Sequence, residues 1–230
     1  MKQTQNAKNQ KHLIQIKTYL NEENFDKAKE LLDLLSRSDK ENMELHFLYG
    51  IYYAKKKIYR SAISYLLRVL DSSHSSIYLP QAVKILVYCY AKTENYQLAV
   101  SIAEDSLSKY YEDVNLKNIL AYIQYMQGNI SGALKIYQDV LKKDPENPTA
   151  LNGIGYCLID NYSRYQEGVK FCSKALKNSP HDASVLDSIG WGYYKLGEYK
   201  KAEGYLKQAF EILPDDPTIK KHITLAVEAS

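Results

Sequence analysis

Hydrophobic residues along this chain recur every three or four positions within paired segments, and a short polar turn separates the two segments of each pair. That period places the apolar side chains on one stripe of an α-helix. The turns are rich in Asn, Gly and Glu, as at residues 21–24, 93–95, 127–129 and 196–198. The pattern therefore predicts a succession of helical hairpins.

A small residue recurs at nearly constant spacing through these hairpins. The gaps between successive copies are 34, 37, 34, 35 and 34 residues, and self-similarity at about 34 residues is typical of a helix-turn-helix repeat array. The residues are Ala28, Ala62, Ala99, Ala133, Gly168 and Ala202. Aligning the chain on them gives repeats at 9–42, 43–76, 80–113, 114–147, 148–182 and 183–216, with a spacer at 77–79 and one extra residue in the fifth turn. We call the first helix of each hairpin helix A and the second helix B.

The last repeat carries the most specific pattern. It has Gly190 in helix A, the aromatic Tyr193 three positions later, Ala202 early in helix B and Pro214 at its end. This pattern resembles the tetratricopeptide repeat. The resemblance covers residues 9–216 and is strongest towards the C-terminus, since the closing proline is present as Pro145, Pro180 and Pro214 but is replaced earlier by Lys40, His74 and Tyr111. It implies an all-α fold, a right-handed α-solenoid of about six hairpins.

The two ends of the chain differ from the repeats. Residues 217–230 form one more amphipathic segment, with Ile219, Ile223 and Ala226 on one stripe and Lys220 and Lys221 off it. A stack of hairpins leaves an apolar face open at its end, so we expect this segment to be a capping helix. Residues 1–8 are polar and basic, and we expect them to be a disordered tail.

Charge and cysteine content narrow the function classes. The chain has 30 Lys and Arg against 27 Asp and Glu, a formal charge of +3, which gives little reason to expect nucleic acid as a partner. No apolar stretch reaches 18 residues and no secretory leader is visible, so we expect no membrane span. Cys89, Cys157 and Cys172 fall at inward-facing helix positions, and buried reduced thiols favour the cytoplasm. A periplasmic or envelope-associated location is the alternative if a leader has been removed.

Candidate catalytic and cofactor chemistry is sparse. The glycine pairs at 153/155 and 190/192 look superficially like dinucleotide-binding loops, but they lie within helices A and follow no strand. No pair among the five histidines has helical metal-ligand spacing, and the linear sequence shows no nucleophile and base arrangement. We therefore expect no metal, no cofactor and no enzymatic activity.

The resemblance also implies a binding surface. In tetratricopeptide-like solenoids the helices A line a concave groove, which in this chain receives positions 2, 5, 9, 12 and 13 of each repeat. We call these positions the helix-A face. Position 9 supplies Tyr88, Tyr122, Tyr156 and Trp191, position 12 supplies Tyr125 and Tyr194, and position 5 supplies Lys84, Asn118, Asn152 and Asp187.

We interpret this face as the site for a partner protein or an extended peptide. The aromatic residues would clamp the peptide, while Asn118 and Asn152 would bond its backbone amides. The alternative is that tyrosine, with 22 copies, is simply common and that these rings pack between neighbouring helices.

The predicted function is a non-enzymatic scaffold or adaptor. The alternative is an assembly component or chaperone of a bacterial envelope or motility complex, because residues 151–156 and 187–191 are similar to those of bacterial envelope tetratricopeptide proteins. Exposed tyrosine-rich faces would also support self-association.

Overall fold

The computed structural model describes residues 2–37, 39, 41–71, 77–109 and 113–230, with side chains from residue 8. Within these residues it contains thirteen helices and no strand. The helices are α1 Lys2–Asn21, α2 Phe25–Ser36, α3 Met43–Lys55, α4 Tyr59–Asp71, α5 Leu79–Lys92, α6 Tyr96–Lys109, α7 Val114–Met126, α8 Ile130–Lys143, α9 Pro148–Asp160, α10 Tyr165–Asn178, α11 Ala183–Lys195, α12 Tyr199–Ile212 and α13 Pro217–Ala229. The fold class predicted from the repeat pattern is confirmed. Positions 40, 74 and 111, which lack the closing proline, lie outside the described residues.

The chain divides into two compact units, Met1–Ile119 and Leu120–Ser230. In the first unit, α1 packs on α2, α3 on α4 and α5 on α6, while α2 contacts α3 and α4 contacts α5 between successive hairpins. Ile16, Leu32 and Leu48 belong to one buried cluster of this unit, and Leu66 and Leu86 belong to the next. The core of this unit is therefore built hairpin on hairpin.

The second unit follows the same plan. Helix α9 packs on α10 and α11 on α12, and α13 then contacts both α12 and α11. Ile159 and Ile189 lie in one buried cluster, and Leu206 and Ala226 lie in another. Helix α13 buries one stripe and exposes its lysines, as predicted for a capping helix.

Helix starts follow the predicted register and have local causes. Helices α3, α7, α9 and α11 begin at the first residues of four predicted repeats. Asn147 Oδ1 accepts a hydrogen bond from the N–H of Ala150 at 3.0 Å, just ahead of Pro148. Asp216 Oδ1 accepts from Thr218 at 2.9 Å, just ahead of Pro217. A capping side chain followed by proline at the first helical position sets each start.

Residues 2–8 of the segment expected to be a disordered tail are described as the start of helix α1. Helix α1 begins at Lys2 and runs without a break to Asn21. The segment lacks apolar residues, but it is made of Lys, Gln, Asn, Thr and Ala, of which Lys, Gln and Ala have good intrinsic helix propensity. Such a segment can extend a helix that tertiary packing has already nucleated further along the chain.

Small residues lie where helix A crosses helix B. Ala28, Ala62, Ala99, Ala133 and Ala202 are all 0 % exposed. In the fifth hairpin a Cβ added to Gly155 would lie 2.7 Å from the carbonyl oxygen of Gly168, and in the sixth a Cβ on Gly190 would lie 2.5 Å from Leu206 Cγ. The backbones approach closely only because bulky side chains are absent at these crossings.

Each hairpin turn contains one residue in the left-handed backbone region. These residues are Glu23, Lys57, Glu94, Gly128, Ser163 and Gly197. In the fourth and sixth turns the N–H of the next residue donates to the carbonyl five positions back, Asn129 to Gln124 and Glu198 to Tyr193, both at 2.9 Å. This is the Schellman arrangement that ends a helix and satisfies its last carbonyls.

The three cysteines are free and buried. Burial raises the pKa of Cys89 to about 12 and that of Cys157 to about 12, and it also raises the pKa of Cys172. Because the thiolate is the reactive form, these thiols are protected both by exclusion of reagent and by protonation.

We expect no cysteine of the native protein to react with a disulfide reagent such as Ellman's reagent within minutes at about pH 8, where a free thiol is partly ionised. The same protein in concentrated guanidinium chloride should release one equivalent for each of its three cysteines. Rapid labelling of the native protein would contradict the buried positions.

Backbone conformation predicts that two glycine-to-alanine substitutions, one in a left-handed turn and one inside a helix, change the free energy of unfolding in opposite directions. Gly197 has φ +77°, Gly204 lies inside α12, and a Cβ added to either would meet no atom within 4 Å. Gly197→Ala should lower the free energy of unfolding by about 1 kcal/mol because an L-residue is strained there. Gly204→Ala should raise it by about 0.5–1 kcal/mol because alanine is the better helix former. Urea unfolding followed by circular dichroism measures both, and shifts of the same sign would contradict the assignment.

Candidate functional site

The predicted site residues are distributed over four helices. Helix α5 carries Lys84 and Tyr88, α7 carries Asn118, Tyr122 and Tyr125, α9 carries Asn152 and Tyr156, and α11 carries Asp187, Trp191 and Tyr194. Lys84, Tyr88 and Asn118 belong to the first unit, and the others belong to the second. The geometry of each unit is described in turn.

In the first unit, Lys84 is engaged by its own chain. Its Nζ lies 2.9 Å from Asp113 Oδ2, and Asp113 Oδ1 also accepts from the N–H of Leu116 at 3.0 Å. Burial by itself would raise the pKa of Asp113, but the hydrogen bonds from Lys84 and from the start of α7 hold it below its ordinary value. The charge of Lys84 is therefore neutralised within the unit.

The other two predicted residues of the first unit differ in exposure. Tyr88 is 38 % exposed, contacts the ring of Tyr59 edge-on and has the Lys92 ammonium 5.4 Å from its ring centroid. Asn118 is only 4 % exposed. Tyr88 is thus available at the surface, whereas Asn118 is not positioned to meet a peptide without a rearrangement.

In the second unit, the carboxylate of Asp160 connects three helices A. Its Oδ2 accepts from the hydroxyl of Tyr125 at 2.9 Å, and its Oδ1 accepts from the indole Nε1–H of Trp191 at 3.2 Å. The rings of Tyr125 and Tyr156 meet edge to face, with centroids 5.6 Å apart. We call Tyr125, Tyr156, Asp160 and Trp191 the Asp160 cluster.

The two tyrosines of the Asp160 cluster are half-buried, while Asp160 itself is exposed. Burial raises the pKa of Tyr125, and the neighbouring Tyr156 and the charge of Asp160 raise it further. Burial and the charges of Asp160 and Asp187 likewise raise the pKa of Tyr156. Both phenols therefore remain protonated, and Tyr125 stays a hydrogen-bond donor to Asp160.

Trp191 is covered by its own chain. It is 8 % exposed, and the ring of His222 stacks on it with centroids 4.1 Å apart. Tyr194 also stacks on it at 5.1 Å, and the Lys195 ammonium lies 4.4 Å from the ring centroid. Trp191 therefore ties α13 and α9 to α11, and it does not present an open aromatic face.

Asp187 is likewise buried and paired with α13. Nδ1 of His222 lies 2.9 Å from Asp187 Oδ1 and 3.1 Å from Oδ2. His222 is 4 % exposed and Asp187 is 6 % exposed. Nδ1 must carry the hydrogen of this bond, because an ionised carboxylate only accepts. Asp187 thus fixes the capping helix and is not displayed to solvent.

Asn152 and Tyr122 keep the positions that the sequence indicates. Both are half-buried, and Asn152 lies one turn before Tyr156 on α9. The side-chain Oδ1 of Asn152 is enclosed and has no hydrogen-bond partner in the described part of the chain. Asn152 is therefore a predicted site residue whose hydrogen-bonding capacity is not fully used.

Two residues of this site were not among those singled out from the sequence, Asp160 and His222. Asp160 occupies position 13 of the fifth repeat and therefore belongs to the helix-A face, where its signal is the register position alone. His222 was considered only as a metal ligand, and its partner Asp187 is 35 residues away. No local spacing reveals that contact.

The described residues offer little other chemistry. They contain no group of three His, Cys, Asp or Glu side chains arranged as metal ligands, and none of their helices is long and apolar enough to cross a bilayer. Gly153 and Gly192 lie inside helices, where an added Cβ would meet Tyr137 and Val169. These glycines serve packing and do not form a phosphate-binding loop.

Comparison with known proteins places these observations in a family. Family models described as tetratricopeptide repeat match residues 15–76, 120–183 and 183–216. A TPR repeat-containing protein of Pseudomonas aeruginosa is 32 % identical over 138 residues, which are 60 % of this chain and 23 % of the relative. The chain spans less than a quarter of the length of the curated relatives that it matches.

Solved structures agree on the fold. A tetratricopeptide repeat protein from Parabacteroides merdae has a TM-score of 0.81 at 14 % identity, covering 94 % of this chain and 83 % of its own. PilW, a widely conserved type IV pilus biogenesis factor, has a TM-score of 0.70 at 13 % identity, covering 93 % and 97 %.

The buried pair on α13 predicts a large stability effect. His222→Ala should lower the free energy of unfolding by about 3–5 kcal/mol, because it leaves the Asp187 carboxylate buried without its partner. Replacing both residues with leucine should recover much of this loss, since no charge is then stranded. Urea unfolding and amide hydrogen exchange of α13 measure the effect.

The exposed Lys221→Ala variant on the same helix is the control and should change stability by less than about 0.5 kcal/mol. Equal losses for His222→Ala and Lys221→Ala would show that the pair does not hold α13.

Proposed function

Because this chain belongs to the tetratricopeptide repeat family, we propose that it is a non-enzymatic scaffold that binds an extended segment of a partner protein on the helix-A face of residues 120–230. Tetratricopeptide repeats form protein–protein interaction scaffolds, and stacked hairpins present extended binding surfaces. The observation that carries the proposal is the Asp160 cluster, where an exposed carboxylate lies beside two half-buried tyrosines.

The residues on this face suit a peptide ligand. Tyrosine contributes a large contact area with little rotamer entropy, and it is enriched at interface positions that dominate affinity. Tyr156 is fixed by its contact with Tyr125, so little ordering is required on binding. Asn152 is half-buried one turn before Tyr156, and because its side-chain oxygen is enclosed, a hydrogen bond to a peptide N–H would require this side chain to turn outward.

The structure changes which predicted residues we assign to direct contact. Trp191 and Asp187 are buried against α13, so in this proposal they support the face from behind. Tyr122, Tyr125, Asn152, Tyr156 and Asp160 remain as the contact set. Tyr194, which stacks on Trp191, lies at its edge.

We further propose that the protein acts in the cytoplasm without cofactor. Three free, buried thiols are compatible with a reducing compartment. Their raised pKa values also argue against a thiolate nucleophile.

A second candidate is an assembly component or chaperone of a bacterial envelope or motility complex. It is favoured by residues 151–156 and 187–191, which are similar to those of bacterial envelope tetratricopeptide proteins. The likeness to PilW adds only the shared fold. A stable stoichiometric complex in the envelope fraction would favour this candidate, and exchange among soluble partners would favour the adaptor.

Affinity capture from the native cell tests the contact face. Tyr125→Ala/Tyr156→Ala should reduce the captured partner at least tenfold, since aromatic anchors each contribute about 2 kcal/mol or more. The matched control is Tyr193→Ala/Tyr205→Ala, which removes another contacting tyrosine pair, with centroids 5.7 Å apart, on α11 and α12.

Circular dichroism confirms that both double variants are folded. Equal capture by the wild type and the Tyr125/Tyr156 variant, with intact fold, would remove this face from the proposal.

A further inference from the structure

We propose that Asp160 recognises an arginine side chain of the partner. The inference rests on the proposed function, because it names the chemistry of the ligand at the same face. It depends on three properties of the Asp160 cluster: an uncompensated negative charge, acceptor positions still open on both carboxylate oxygens, and tyrosine rings beside the carboxylate.

The charge of Asp160 is not neutralised by a described residue. Its two hydrogen-bond donors, the Tyr125 hydroxyl and the Trp191 indole, are both uncharged, and no described Lys, Arg or His forms an ion pair with it. Two other carboxylates on helices A or at their starts are paired, Asp113 with Lys84 and Asp187 with His222, whereas Asp182 caps α11 by accepting from backbone N–H groups. Asp160 is instead exposed with its charge intact.

Lys195 is the cation nearest to this arrangement in the described contacts. Its ammonium lies over the Trp191 ring at 4.4 Å from the centroid and within ion-pair distance of no described carboxylate. The Lys195 ammonium therefore lies over the face of the indole ring, whereas the Asp160 carboxylate accepts a hydrogen bond from its Nε1–H. Lys195 is therefore a cation beside the Asp160 cluster that does not neutralise Asp160.

The hydrogen-bond geometry favours arginine over lysine. An ionised carboxylate offers about four acceptor positions, and each oxygen of Asp160 uses one for a donor of its own chain. Each oxygen therefore keeps a position for one of the two parallel N–H groups of a guanidinium. A lysine ammonium lacks this pair of parallel N–H groups, so it would fill only one of the two open acceptor positions with comparable geometry.

The neighbouring rings complete the site. The rings of Tyr125 and Tyr156 meet at 70°, and the hydroxyl of Tyr125 bonds the carboxylate, so aromatic rings lie close to Asp160. A guanidinium plane stacks on a tyrosine face while its N–H groups point along its own plane. The same side chain can therefore bond Asp160 and stack on a tyrosine.

The single tryptophan of the chain makes a direct test possible. Its indole N–H donates to Asp160, so the indole cross-peak in a ¹⁵N–¹H spectrum reports on the carboxylate. We expect N-acetyl-argininamide, titrated at low salt, to shift this cross-peak progressively. The shift should be at least fivefold larger than with the neutral N-acetyl-citrullinamide, and larger than with N-acetyl-lysinamide.

Two variants show which charge is responsible. In Asp160→Asn, which keeps the shape of the side chain, the argininamide-induced shift should fall at least fivefold. In Lys195→Ala it should be at least as large as in the wild type, because Lys195 lies on the indole face and does not pair with Asp160. An equal response to citrullinamide or lysinamide, or an undiminished response in Asp160→Asn, overturns the proposal.

The result is separable from the test of the proposed function. If partner capture depends on Tyr125 and Tyr156 while argininamide leaves the indole cross-peak unmoved, the binding face stands and the arginine assignment fails. If argininamide binds but capture is unaffected by the tyrosine substitutions, the site exists and the proposed function fails.

Discussion

The close approach of helix A and helix B within each hairpin is the constraint on which the other features depend. Ala62 and Ala202 are 0 % exposed, and Gly155 and Gly168 leave no room for a Cβ between α9 and α10. When two backbones come this near, the large residues on either side interlock and fix the rotation of each helix. That rotation determines which side chains of helix A reach the surface. The exposure of Asp160 and the partial burial of Tyr156 are thus consequences of small residues on the opposite side of the same helix.

The charged side chains of the helices A differ in whether a charged partner lies beside them. Where a helix-A charge is buried or half-buried it is paired, as Asp187 is with His222 and Lys84 with Asp113. Removal of a charge from water is costly unless a partner is close. Asp160 needs no charged partner because it remains exposed to solvent, and its two hydrogen bonds come from neutral donors. The paired carboxylate of Asp187 and the unpaired carboxylate of Asp160 therefore lie on two helices A of the same unit, α11 and α9.

The hairpins could be predicted from the sequence because their determinants are local. The apolar stripe, the small residue at each crossing, and the Asn147 and Asp216 caps all lie within a few residues of the element that they specify. Residues 1–8 are a different case, because composition alone does not show whether a polar segment extends a packed helix. The site was only partly predictable. Its aromatic positions follow from the repeat register, but the covering of Trp191 depends on His222, which lies 31 residues further along the chain and has no spacing rule.

The left-handed residues at the hairpin turns are positions where substitution can change the stability of the fold. Only two of the six turns, at Gly128 and Gly197, use the residue that adopts this conformation freely, and the others use Glu23, Lys57, Glu94 and Ser163. A side chain in that region costs about 1–2 kcal/mol relative to glycine, offset in part by the lower entropy of the unfolded chain. The four non-glycine turns are therefore positions at which glycine could relieve backbone strain without altering any residue of the Asp160 cluster.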